Sequence, residues 1–130
     1  GVPDATTIAF AVVLFLWTPP HFWSLAIAYR DDYAAARVPM LPVVVGDAAA
    51  ARAVFVGAAM LVAASIVPAF LGLSWLYAAA AVGGGALLML RTAQLALEPT
   101  RARALASFHA SLIQLSLLIV AAGIEPLLRA

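Results

Sequence analysis

Four apolar stretches, each close to the length needed to cross a bilayer, fix what this chain can become. A membrane helix needs about 20 apolar residues. The first candidate, Thr7 to Tyr29, carries no charge. The second runs from about Ala53 to Leu71 and the third from about Ser74 to Leu90. The fourth runs from about Leu105 to Ile124. The third is short by strict count and includes Gly83, Gly84 and Gly85, whose small size would let a neighbouring helix approach closely. Little more than "LGLS" joins the second to the third, which predicts a tight hairpin. Of the 130 residues, 66% are hydrophobic and 10% charged, against about 25% charged in soluble domains. Too little polar side chain remains to cover a globule in water. The expected fold is all-α and integral to a membrane, with four transmembrane helices running up and down.

The net charge of +1 gives no basic surface for nucleic acid. The absence of cysteine excludes disulfides and thiolate metal sites. Every basic residue is arginine and alanine is abundant, which reads as codon bias of a GC-rich genome. The chain begins Gly-Val-Pro, and its first apolar run is too long for a signal peptide and lacks a basic leader. A piece of a longer protein is expected.

Charge orients the spans. Arg30, Arg37 and Arg52 flank the loop after the first span, and Arg91, Arg101 and Arg103 flank the loop after the third. The opposite side holds Asp4, Glu125 and Arg129. Six of the seven arginines thus share one side, which the positive-inside rule makes cytoplasmic. Asp31 and Asp32 fall at that surface. "VPMLPVVVG" after them is apolar but too short to span, and Pro39 and Pro42 resist a regular helix. It is expected at the interface, over a cavity, or as a partly buried connector.

The charges concentrate in "AYRDDYAAAR", which places two carboxylates and two guanidinium groups at a helix end. Asp31 and Asp32 are candidate ligands of Mg²⁺, a hard ion that takes oxygen and bridges to substrate phosphates. Arg30 and Arg37 offer forked donors for phosphate. Metal and arginine for a head group, with an apolar groove for a tail, is what a prenyl diphosphate requires. The same residues also fit an interfacial collar that only sets helix depth. His21 stands eleven residues before Asp32. On an unbroken helix the two would differ by about 20° in direction, with His21 about 16 Å deeper. Pro19 and Pro20 would disturb the turn before it. An ionisable group at that depth is a functional candidate, as iron ligand or proton acceptor. A neutral histidine bonded to a neighbouring helix is the alternative.

"FLWTPPHFWSLAIAYRDDYAAARVPMLPVVVG", Phe15 to Gly46, resembles the second signature region of the heme-modifying farnesyltransferases, a branch of the UbiA superfamily of intramembrane prenyltransferases. "SFHASLIQLSLL", Ser107 to Leu118, resembles the start of that family's last helix. The resemblance implies that residues 1–130 are the C-terminal part of one membrane domain, the last four of nine helices. It implies transfer of farnesyl from farnesyl diphosphate to a vinyl group of heme B, with Mg²⁺ on the diphosphate. The product would serve terminal oxidases, whose assembly machinery is a further expected partner. A multi-pass protein of the bacterial plasma membrane is implied. Asp32 is then the first acidic candidate and Asp31 the second, with His21 as a further catalytic candidate and Arg30 and Arg37 as diphosphate contacts.

The resemblance is partial. Tyr29 and Tyr33 flank the acidic pair where other superfamily members place aspartates. Arg37 stands where the family has glycine, and Gln114 where tyrosine is frequent. The family's first acidic motif, N-D-x-x-D-x-x-x-D, is absent from these residues, so the stretch alone is expected to be inactive. Rival readings are a related prenyltransferase acting on a quinone precursor or chlorophyllide, and a non-catalytic bundle such as a transporter or oxidase-assembly protein.

Overall fold

The computed structural model describes residues 5–72 and 75–129, and every regular element among them is helical. Asp4 and Ser74 lie outside the described residues, as do the side chains of Glu125 and Arg129. Helix α1 is Ala5–Ala28, α2 is Arg30–Ala35, α3 is Leu41–Val45, α4 is Asp47–Phe70, α5 is Trp75–Leu97 and α6 is Arg101–Arg129. Helices α1, α4, α5 and α6 are long and apolar enough to cross a membrane. In the bundle α1 packs on α4, α4 on α5, α5 on α6, and α6 back on α1. Consecutive long helices alternate in direction, so the six arginines expected on one side do gather at one end.

The helices run past the boundaries that hydropathy suggested. Helix α4 starts at Asp47 rather than near Ala53, because the alanines and Arg52 of "DAAAAR" are strong helix formers and Asp47 suits the first turn. Helix α5 continues from Leu90 to Leu97, so the third span is not short. Arg91 and Gln94 bond to each other at 3.1 Å within that extension.

Pro19 and Pro20 do not break α1. Their ring-fixed φ suits a helix even though two backbone donors are lost. Pro20 is buried against α4 at Gly57, where an added Cβ would lie 3.5 Å from the ring. The break comes later. Tyr29 adopts φ −117° and ψ 30°, and α2 restarts at Arg30. His21 and Asp32 therefore share no unbroken helical stripe, which corrects the sequence expectation. The connector also differs from expectation: Pro42 sits in the first turn of α3, where its missing N–H costs nothing. Gly46 closes α3 and opens α4 at φ +88°, a conformation that favours glycine.

Two apolar clusters fill the bundle. One contains Leu61, Tyr77, Ala81, Leu88 and Leu118. The other contains Ile27, Ala28, Ala50, Ala51, Val54, Leu95 and Ala104, and supports the arginine-rich end. The glycine run has a split role. Gly84 meets Gln114 of α6, Gly85 meets Val62 of α4, and Gly83 meets nothing. Phe15, Phe70, Trp75 and Val82 are exposed on the outer surface. In a membrane such a surface faces lipid or further helices.

Candidate functional site

At the arginine-rich end, Ile27 to Asp32, Asp47, Pro99 and Arg101 line a cavity of about 320 Å³. The end of α1, the start of α4 and the start of α6 meet there because the small residues Ala28, Ala50, Ala51 and Ala104 pack beneath them. Three carboxylates, Asp31, Asp32 and Asp47, face two guanidinium groups, Arg30 and Arg101.

Arg30 is shared between carboxylates. Its Nη2 lies 3.4 Å from Asp31 Oδ1 and its Nε 3.7 Å from Asp47 Oδ1. The second contact is an ion pair too long to be a hydrogen bond. Asp47 Oδ1 is buried and has no hydrogen-bond donor among the described residues. The Asp31 side chain is 94% exposed, so solvent weakens its pair with Arg30. Arg101 lies over the Tyr29 ring, 4.9 Å from its centre. Arg103, the next arginine on α6, is occupied by Glu98 at 3.4 Å and by the Gln94 carbonyl at 2.7 Å.

Of the residues singled out in the sequence, the fold brings Arg30, Asp31 and Asp32 to this cavity. Arg37 is exposed on the turn after α2 and is not on the lining. Asp47 and Arg101 were not anticipated. Both lie at the arginine-rich end of the sequence pattern, but their convergence depends on how α1, α4 and α6 pack.

His21 lies elsewhere, in a polar seam between α1 and α6. Trp17 stacks on one side of it at 4.1 Å and Phe108 at 4.5 Å. Its Nδ1 is 2.6 Å from Ser111 Oγ. The Ser111 hydroxyl also lies within hydrogen-bonding reach of the Phe108 carbonyl, at 2.6 Å. Trp17 Nε1 donates to the Ser111 carbonyl at 2.9 Å. The Ser24 hydroxyl reaches the Pro20 carbonyl at 2.7 Å and pairs with the Ser107 hydroxyl at 2.8 Å. Interhelical bonds in membranes average about 0.6 kcal/mol each, so the seam fixes register more than it supplies stability. His21 stands about two turns of helix from Ile27, the nearest cavity-lining residue of α1, and Ser24, at the near end of the seam, is less than one turn from it.

Among the described residues, no group of three or more His, Asp or Glu side chains could hold a metal by itself. The cavity's donors suit a different mode. Mg²⁺ keeps waters and binds through one or two carboxylates plus substrate phosphates. The carboxylates on this rim fit that mode.

A bundle of four long apolar helices with an apolar exterior and a carboxylate–arginine cavity at one end is the architecture of a multi-pass membrane protein. The chain belongs to the UbiA prenyltransferase family, whose model matches residues 4–118. It is 50% identical over 122 residues to "Protoheme IX farnesyltransferase 2" of Paramagnetospirillum magneticum, covering 94% of this chain and 42% of the relative. It is 40% identical over 128 residues to "Protoheme IX farnesyltransferase" of Haloarcula marismortui, covering 98% and 27%. Against the protein of that name from Gloeobacter violaceus the identity is 44% over 115 residues, covering 87% and 38%. The chain thus spans well under half the length of these relatives. No solved structure matches it.

Proposed function

We propose that this chain is the C-terminal part of a nine-helix enzyme that transfers a farnesyl group from farnesyl diphosphate to a vinyl group of heme B. Water supplies a hydroxyl, and heme O and diphosphate are the products. The observation that carries this reading is the gathering of Arg30, Asp31, Asp32, Asp47 and Arg101 around one cavity, in a chain whose relatives are named for this transfer.

Asp32 and Asp31 hold the head group through Mg²⁺, with Asp32 the main contributor. Mg²⁺ held there would supply positive charge to the diphosphate leaving group. Arg30 turns from Asp31 and Asp47 to phosphate oxygens, where bidentate contacts are stronger than an exposed ion pair. Arg37 is an outer contact from the turn after α2. The apolar walls of the complete bundle shield the allylic cation from water. His21 acts toward the porphyrin as iron ligand or as base. The arginine-rich end faces the cytoplasm of a bacterial cell, and heme O passes from the plasma membrane to terminal oxidases and their assembly partners.

The test is heme content in cells whose own heme O synthesis has been deleted. The complete protein is expected to restore heme O, identified by mass, with His21→Ala lowering the yield. Loss of a heme absorbance feature in that variant assigns ligation, and an unchanged spectrum assigns a base. Well-expressed protein that yields no heme O contradicts the reading.

A further inference from the structure

We infer that Arg101 is a further diphosphate-contacting residue and that Tyr29 is its positioning residue. The inference rests on the diphosphate site proposed above and extends it to the start of the last helix.

Arg101 is distinguished by what its neighbours lack. Arg30 is engaged by Asp31 and Asp47, and Arg103 by Glu98 and the Gln94 carbonyl. Among the described residues, Arg101 has no carboxylate or carbonyl acceptor for its side chain. Its one close partner is the face of Tyr29, 4.9 Å from ring centre to Cζ. A ring face attracts the cation through its quadrupole and takes up none of its N–H donors. The guanidinium is therefore held at the cavity wall with its forked donors unspent. A phosphate oxygen is the acceptor such a group suits best.

The position of Tyr29 follows from the chain break described above. The turn between α1 and α2 places its ring beside the first turn of α6. An aspartate at this position would instead form an ion pair with Arg101 and occupy its donors. A tyrosine keeps the arginine in place and free. The same stacking joins two segments 72 positions apart in sequence, Tyr29 and Arg101, so head-group binding would clamp α6 against the end of α1.

The experiment is binding of inorganic diphosphate, with Mg²⁺ present, to the complete purified protein, measured by calorimetry beside heme O kinetics. Arg101→Ala is expected to weaken diphosphate binding tenfold or more and to raise KM for farnesyl diphosphate by a similar factor. The KM for heme B should stay within twofold. Arg101→Lys should recover only part of the loss, because an ammonium lacks the fork. Tyr29→Phe keeps the ring and should bind within about twofold of the unmodified protein, whereas Tyr29→Ala should lose threefold or more. A folding defect would lower the thermal midpoint and the active fraction but leave both KM values unchanged, so a rise in KM for farnesyl diphosphate alone is not a folding effect. If the unmodified protein binds diphosphate and Arg101→Ala binds it equally well, this inference is overturned while the proposed function stands. If the unmodified protein binds none, the proposed function fails and this inference falls with it.

Discussion

Arg37 holds a φ of +59°, the left-handed region that an L side chain enters at a cost of about 1–2 kcal/mol. Its N–H bonds the Ala34 carbonyl at 3.1 Å, and Val38 N–H bonds the Tyr33 carbonyl at 2.9 Å, so the turn that ends α2 depends on that conformation. The family resemblance placed glycine there, and the backbone supplies the reason. Arg37→Gly is expected to stabilise the turn, by about 0.5–1 kcal/mol once the entropy of glycine is set against the relieved strain. A lower thermal midpoint in the detergent-solubilised protein would contradict this. Gln114 is a second residue whose environment composition could not reveal. It is fully buried, and neither amide atom has a hydrogen-bond partner among the described residues. The resemblance noted only that tyrosine is frequent at that position.

At the scale of elements, much was legible and the errors have physical causes. Four spans follow from uncharged runs of the right length. The helices themselves run further than those apolar runs, past Arg52 and Arg91. A long arginine side chain can run along an apolar helix to the interface, so the helix need not end where the charge appears. The short helix α3 was missed because Pro42 was taken as a breaker, although proline is favoured in a first helical turn. The unbroken stripe from His21 to Asp32 failed at Tyr29, where no glycine or proline marks the change of direction. The glycine run was read correctly as a close approach, but only the packed bundle separates its members. At Gly85 an added Cβ would fall 2.9 Å from Val62 Cγ1, and valine has little rotamer freedom in a helix. Gly85→Ala is expected to cost about 1–3 kcal/mol. Gly83→Ala, which meets open space, should be neutral or stabilising. Equal thermal midpoints for the two variants would refute the packing assignment.

For the whole molecule, the direction of the bundle and the position of the cavity stand together. The arginine-rich end carries both the cavity and the connector α2–α3, and the proposal that it faces the cytoplasm follows from the positive-inside rule. Cysteines placed at Ala35 and Thr100 in the complete protein should react with an impermeant reagent only from the cytoplasmic side. Reaction of either from outside would reverse the orientation. Three of the cavity's five charged lining residues were legible: Arg30, Asp31 and Asp32 announce themselves as a cluster in a charge-poor chain. Asp47 and Arg101 do not, since each is a single charge near a helix start and only tertiary packing brings them to the cluster. The most direct measurement of the central claim, that this cavity holds the diphosphate during farnesyl transfer, is heme O formation by Asp32→Asn and Asp31→Asn variants of the complete protein across a Mg²⁺ titration. Asp32→Asn should lose most turnover and respond weakly to Mg²⁺, while Asp31→Asn, altering the more solvent-exposed partner of Arg30, should lose less. Near-normal turnover and Mg²⁺ response in both variants, at normal membrane levels, would make the acidic pair an interfacial collar and contradict the account.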